Sequence, residues 1–168
     1  MERVSKRNYY LDIAQTVLER ATCLRRVYGA IIVKNDEIIS TGYNGAPRGR
    51  ANCADMGYCS REAQKVPRGE RYELCRSVHA EANAIISAAR RDMVGGTLYL
   101  VGRDARTGEL LSDATSCAMC RRLVINAGLA RVVIRRTPTE FDVVNVEDWV
   151  REDDLLAPLD PDAVLDQM

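Results

Sequence analysis

The chain has 168 residues, with 24 basic and 24 acidic side chains, 46% apolar residues, six cysteines and one histidine. That length suits one domain with a full core; no apolar run approaches the roughly 18 residues of a membrane span, and the start, Met1-Glu2-Arg3-Val4-Ser5-Lys6-Arg7, lacks a signal peptide's apolar region. The zero net charge hides a division: residues 1–139 hold 23 basic and 14 acidic residues, a net +9, and residues 140–168 hold one and ten, a net −9, which fits a phosphate-bearing small substrate and argues against a long nucleic acid.

Tyr10, Ile13, Ala14, Val17, Leu18 and Ala21 recur at helical spacing, predicting an amphipathic helix over 7–21. The apolar runs 28–33 and 37–41 flank Asn35-Asp36, a turn pair, and predict a β-hairpin. Residues 42–77 hold two prolines, five glycines and no sustained period. A connection that long is normally functional or held by something else. Then come a helix from His79 through Ala89, a strand over 97–101, a helix opened by the cysteines at 117 and 120 and stopped at Gly128, a strand over 131–135, a strand over 142–146 and a short helix over 147–153. A hairpin followed by helix and strand alternation predicts a three-layer α/β/α sandwich around one mixed sheet. Residues 1–153 should form the domain, and 154–168 an acidic, mobile tail.

The chemistry is concentrated in His79-Ala80-Glu81 and, 38 positions later, Cys117-Ala118-Met119-Cys120. One imidazole and two thiolates are three ligands for Zn²⁺, leaving its fourth tetrahedral position open for water, as catalytic zinc sites do. Each group opens a helix, whose N-terminal partial charge favours thiolates. Glu81, two residues from the histidine, is then free to move protons. A histidine is more often a surface or core residue, and a Cys-x-x-Cys pair can be a redox motif or half of a closed zinc site. The context favours the open site, because the only histidine of the chain sits at one of these helix starts. His-x-Glu followed by Pro-Cys-x-x-Cys is the signature of zinc deaminases, which these residues match except at the proline.

Cys23, Cys53, Cys59 and Cys75 have two readings. They are small core residues, or they form a closed four-cysteine structural zinc site that orders the 42–77 segment. Reduced thiols are expected for all six cysteines in a soluble, cytoplasmic protein.

Thr41-Gly42-Tyr43-Asn44-Gly45-Ala46-Pro47-Arg48-Gly49, Cys53, and Cys75-Arg76-Ser77-Val78-His79-Ala80-Glu81-Ala82-Asn83-Ala84-Ile85 resemble the deoxycytidylate deaminases over about residues 23–133. The resemblance implies a five-stranded sheet in the cytidine deaminase fold, hydrolysis of dCMP to dUMP and ammonia, and assembly into dimers or hexamers. It implies a catalytic Zn²⁺ on His79, Cys117 and Cys120, with Glu81 carrying protons to the ring and the departing amine. It also favours the second zinc at Cys23, Cys53, Cys59 and Cys75. Asn44 would contact the sugar, and Arg26 or Arg48 the phosphate or a regulatory triphosphate. Two departures stand out: Ser116 replaces the usual proline before the first metal cysteine, and residues 100–116 form an insertion with a Thr107-Gly108 turn that can extend the strand into a hairpin beside the pocket. The insertion leaves open a deaminase of another small amine-bearing pyrimidine or purine. A nucleic-acid-editing deaminase is disfavoured by the acidic tail and the lack of a lysine-rich or aromatic patch.

Overall fold

The computed structural model describes residues 1–152; the segment expected as an acidic tail, 154–168, and the final position of the helix predicted over 147–153 lie outside the described residues. In chain order the elements are α1 (Lys6–Leu18), β1 (Arg26–Lys34), β2 (Glu37–Tyr43), α2 (Cys53–Met56), α3 (Ser60–Ala63), α4 (Ala80–Ile86), α5 (Arg90–Met93), β3 (Thr97–Asp104), α6 (Ala118–Ala127), β4 (Arg131–Arg135), β5 (Phe141–Asn145) and α7 (Val146–Arg151). The strands form one five-stranded sheet in the order β2-β1-β3-β4-β5. β3 and β4 pair in parallel and the other neighbours are antiparallel, so the sheet is mixed as expected. A parallel pair needs a long crossover, which α6 supplies.

Strand alternation sorts the core into two layers. Val27, Ile31 and Val33 of β1, Tyr99 and Val101 of β3 and Val133 of β4 pack under Tyr10, Leu11, Ala14 and Leu18 of α1. On the other face Ala30, Ile32, Leu98, Leu100, Val132 and Ile134 meet Ala80 and Ala84 of α4 and Val124 and Ala127 of α6. The hairpin turns at Asn35 and Asp36, both at positive φ (52° and 65°), the type I′ geometry that matches strand twist. β3 runs three residues past the predicted Val101 because its whole length finds partners on β1, from Val33↔Thr97 to Arg26↔Asp104.

Two helices end sooner than their periodicity suggests. α1 stops at Leu18, where Glu19 N–H bonds the Thr16 carbonyl and the chain tightens toward β1. α4 stops at Ile86 rather than Ala89: the Ser87 hydroxyl donates to the Asn83 carbonyl at 2.8 Å, local competition typical of serine, and α5 begins at Arg90. The long 42–77 segment is better ordered than its composition suggests. It holds α2, α3 and a 3-10 turn at Tyr72–Leu74, and the buried Arg61 donates to the carbonyls of Pro67 at 2.8 Å and Glu70 at 2.5 Å. No helix among the described residues is long and apolar enough to cross a membrane.

Two glycines set how closely the helix layers approach the hairpin. A Cβ on Gly29 would lie 2.1 Å from the Ala14 carbonyl oxygen of α1, and one on Gly42 would lie 2.3 Å from the Ala80 oxygen and 2.4 Å from the Ala84 nitrogen of α4. The atoms in the way are backbone, so a side chain is accommodated only by moving the helix. Gly42→Ala should therefore destabilise the protein by about 1–3 kcal/mol, the usual cost of overpacking, and weaken zinc retention by shifting α4. Denaturant unfolding and metal analysis of the purified variant check this; unchanged stability and zinc content would refute the packing argument.

Candidate active site

His79 and Cys117 are the N-cap residues of α4 and α6, both with extended backbone (φ −71° and −68°). Capping geometry aims each side chain off the helix end, and α4 and α6 lie side by side over one sheet face. His79 Nδ1 thus comes within 3.5 Å of Cys117 Sγ and 3.4 Å of Cys120 Sγ, and all three ligand atoms lie within 4.8 Å of one another. Cys120, in the first turn of α6, is wholly buried. One nitrogen and two sulfurs at this spacing can hold a Zn²⁺, and three protein ligands leave a position for a substrate or water. The turn before Cys117 lacks proline but is pinned differently, since Arg121 Nε donates to the Ser116 carbonyl at 3.1 Å.

The three groups share protons strongly. Cys117 is held as a thiolate, its pKa lowered to about 4, by hydrogen bonding from Cys120 and, against the opposing effect of burial, from His79 and the Cys120 amide. Cys120 is correspondingly pushed up by Cys117 and by burial. Burial works against a charged imidazole at His79, yet the sulfurs of Cys117 and Cys75 outweigh it and raise its pKa to about 10.

Glu81 sits in the first turn of α4, 5% exposed. Burial raises its pKa, opposed by the backbone amide, by His79 and by Ser116. Ser116 Oγ lies beside this carboxyl, is itself buried and makes no hydrogen bond of full geometry. A buried carboxyl with an elevated pKa is suited to take up and release a proton near neutrality.

Above Glu81 opens a cavity of about 440 Å³ lined by His79, Glu81, Ser116, Cys117, Tyr28, Tyr72, Asn44 and five arginines, Arg25, Arg26, Arg61, Arg68 and Arg121. Asn44 reaches it, but both ends of its amide are engaged: Oδ1 accepts from Tyr28 N–H at 2.7 Å and Nδ2 donates to the Arg26 carbonyl at 2.9 Å. It fixes the start of β1 and keeps one donor and one acceptor for a ligand. Asn83 ties the same loop to α4 by donating to the Tyr43 carbonyl at 2.8 Å. Of the two arginines assigned from sequence, Arg26 lines the cavity; Arg48 is exposed and does not. Arg48 follows Pro47 in a turn directed to solvent, which its nearness in sequence to Asn44 did not reveal.

Sequence reasoning missed Arg61, Arg68, Tyr72 and Asp113. The Arg61 guanidinium lies 4.7 Å over the Tyr72 ring, and Tyr72 meets the His79 ring edge-on at 4.9 Å. The arginine content was the only hint, because no local period marks a loop wall. The insertion forms a short hairpin as expected: Asp104 N–H bonds the Glu109 carbonyl, Leu111 N–H bonds the Gly102 carbonyl, and Gly108 turns at φ 77°. It delivers Asp113, Thr115 and Ser116 to the cavity wall.

The other four cysteines are all free thiols. Cys53 is raised in pKa by burial and then by its neighbours Cys23, Cys75 and Cys59, so the four are gathered around Cys53. They are not drawn to ligand spacing: among the described residues the group with three ligand atoms within 4.8 Å is His79, Cys117 and Cys120.

The model of the cytidine and deoxycytidylate deaminase zinc-binding region matches residues 4–136. A deoxycytidylate deaminase of Mycobacterium phage D29 is 36% identical over 138 residues, 79% of this chain and 96% of that protein. The Schizosaccharomyces pombe deoxycytidylate deaminase is 32% identical over 131 residues, 78% of this chain but 37% of the yeast protein. Among solved structures, a dCMP deaminase from cyanophage S-TIM5 in complex with dCMP and dUMP has a TM-score of 0.54 at 22% identity, covering 80% of this chain and 84% of that one. A cytidine deaminase from Burkholderia pseudomallei has a TM-score of 0.56 at 20% identity, covering 86% and 95%; likeness at that level speaks to the fold. The match across residues 4–136 makes this chain a member of the cytidine and deoxycytidylate deaminase zinc-binding family.

Proposed function

We propose that the protein is a zinc-dependent hydrolase that deaminates dCMP to dUMP and ammonia, with His79, Cys117 and Cys120 as zinc ligands and Glu81 as the proton carrier. The observation that carries this reading is the order of groups along the cavity. His79, Cys117 and Glu81 line its inner end, with Cys120 buried behind them, Tyr28 is near enough to Glu81 to feel its charge, and Arg26 follows two strand residues away on the same face of β1, about 7 Å farther on. Reactive ring at one end and anion at the other is the layout of a nucleoside monophosphate.

Zinc held there supplies the Lewis acidity that makes water a nucleophile near neutral pH. Glu81, buried and elevated in pKa, takes one proton from the water to the ring nitrogen, then carries the second proton of the added water to the departing amine, so that ammonia leaves and the carbonyl forms. Asn44 holds the start of the β2–α4 loop against β1 and Asn83 ties it to α4, and the arginines bind the phosphate. The expected result is that dCMP exceeds deoxycytidine in kcat/KM by at least about 100-fold, because a site built for an oxyanion leaves its arginines unpaired without one, and that Glu81→Gln keeps zinc but loses at least about 100-fold in kcat. Ammonia release from dCMP, CMP, deoxycytidine, guanine and single-stranded DNA decides it: equal use of dCMP and deoxycytidine would overturn the nucleotide reading.

A second, structural Zn²⁺ would bind Cys23, Cys53, Cys59 and Cys75, closing thiols already gathered around Cys53. Metal analysis should give two zinc ions per chain, falling to one in Cys53→Ser; an unchanged count would refute the assignment. The six free thiols support a reducing, cytoplasmic setting. Ile86 of α4, 76% exposed, with Met119 and Leu123 of α6, supports a homo-oligomer built on this helix layer.

Metal binding at the catalytic triad has its own pH signature. Without zinc, near pH 7.5, the imidazole (pKa about 10) and the Cys120 thiol hold protons while Cys117 (pKa about 4) does not. Ligation requires neutral imidazole and two thiolates, so loading this site should release about two protons per zinc, and affinity should rise with pH. Calorimetry in buffers of different ionisation enthalpy reads the number directly; uptake without proton release would contradict the geometry.

A further inference from the structure

The cavity mouth already contains an anion. Asp113, delivered by the 100–116 insertion, lines the cavity together with Arg26 and Arg68, and a single carboxylate oxygen, Oδ2, lies 2.6 Å from Arg68 Nη2 and 3.5 Å from Arg26 Nη2. The two arginines come from different places, Arg26 from the start of β1 and Arg68 from the loop after α3, so the carboxylate links two separate segments of the cavity wall. The other cavity arginines are differently engaged: Arg25 pairs with Glu62 at 3.0 Å, Arg61 holds two carbonyls and Arg121 holds the Ser116 carbonyl. Arg26 and Arg68 are the two cavity arginines paired to a carboxylate that itself lines the cavity, and Asp113 stands between them.

We propose that Asp113 is a resident competitor for the anion seat formed by Arg26 and Arg68, displaced by the substrate's phosphate, and that it thereby sets the affinity and specificity for phosphorylated over neutral substrates. This rests on the nucleotide reading of the site given above. The physical case is one of relative strength. Asp113 is 54% exposed and Arg68 61%, so the ion pair is solvated and weak. A phosphomonoester brings up to two charges and three acceptor oxygens to two guanidinium forks, which pair with oxyanions bidentately. It outcompetes a single monovalent carboxylate oxygen, while a neutral sugar hydroxyl does not. Arg68 and Arg26 also hold Asp113 below the usual carboxylate range, which favours its charged form. The carboxylate keeps the arginines paired between turnovers and imposes a fixed penalty on every anion that enters.

The test uses the zinc-loaded full-length protein and binding rather than turnover. Inorganic phosphate, dUMP and deoxyuridine are titrated calorimetrically into the wild type, Asp113→Asn and Glu109→Gln, the last removing an exposed charge from the same insertion but outside the cavity lining. Asp113→Asn should bind phosphate and dUMP about two- to fivefold more tightly, the scale of a lost surface ion pair, with deoxyuridine affinity unchanged and Glu109→Gln equal to wild type. Phosphate affinity that is unchanged or weaker in Asp113→Asn overturns the proposal, as does an equal gain in Glu109→Gln, which would mark a general charge effect. Because inorganic phosphate carries no base, a gain confined to Asp113→Asn stands even if the enzyme fails to deaminate dCMP. That combination would remove the dCMP reading and leave the competitor in place.

Discussion

The closeness of α4 to β2 is the constraint on which the site depends. Gly42 lets the backbone of Ala80 and Ala84 come to within reach of the strand, and the Ser40 hydroxyl takes advantage of the approach by donating to the Ala84 carbonyl at 2.7 Å. That carbonyl belongs to the last turn of a seven-residue helix, where it has no intrahelical partner. The small side chains are thus a positional requirement: two alanines and a glycine replace bulk with proximity, and Asn83 adds a second tie to the Tyr43 carbonyl. With α4 held at that depth, His79 at its start is brought level with the first turn of α6. A helix displaced by the width of one methyl group would carry the imidazole away from both sulfurs.

Burial and charge are graded along the cavity. At the floor, Glu81 is almost completely enclosed, and Cys120 is buried behind it, an expensive place for unpaired charge. The compensation comes from convergence, because imidazole, thiolate and carboxyl each perturb the others' protonation. Midway, Tyr28 and Tyr72 supply aromatic faces, the latter clamped by Arg61. At the mouth, Arg26, Arg68 and Asp113 are solvated enough to rearrange. A low-dielectric floor strengthens electrostatic effects on a reacting ring, and a wet mouth permits exchange of anions.

The parts legible in the sequence are those fixed by local geometry. The hairpin followed from Asn35-Asp36 between apolar runs, and both residues do take positive φ. The convergence of His79 with Cys117 and Cys120 was legible because each motif opens a helix, and capping directs side chains in a known way. Helix ends were less legible: Ser87 terminates α4 through its own hydroxyl although alanines follow, which periodicity does not register. The wall of the cavity was hardly legible. Arg48 neighbours the Asn44 loop in sequence but faces solvent, whereas Arg61 and Arg68 reach the cavity from a segment that looked structureless. Its order comes from side-chain-to-backbone bonds within the segment, such as Arg61 holding Pro67 and Glu70, and not from any repeat. The four remaining cysteines fall between these cases, gathered around Cys53 without reaching ligand spacing.

The arginine content shows why composition alone misplaces function. Of the 23 basic residues before position 140, several that composition counts toward phosphate recognition are structural. Arg135 is 3% exposed under α1, paired with Asp12 at 2.7 Å and bonded to Gln15. Arg103 holds Glu19 with both terminal nitrogens, and Arg136 joins Asp142 to the Ser112 and Ala114 carbonyls. These side chains use the planar fork to fasten loops and helices to sheet edges, as arginine does better than lysine. What distinguishes Arg26 and Arg68 is that their shared, solvated carboxylate partner is borne by the insertion and lines the cavity. Arg136 fixes the backbone immediately before and after Asp113, so the insertion presents that carboxylate from a held turn. An insertion that would otherwise only narrow the opening thus acquires a chemical role through one side chain, and the net +9 of the body matters less for attraction than for where two of its charges remain exchangeable.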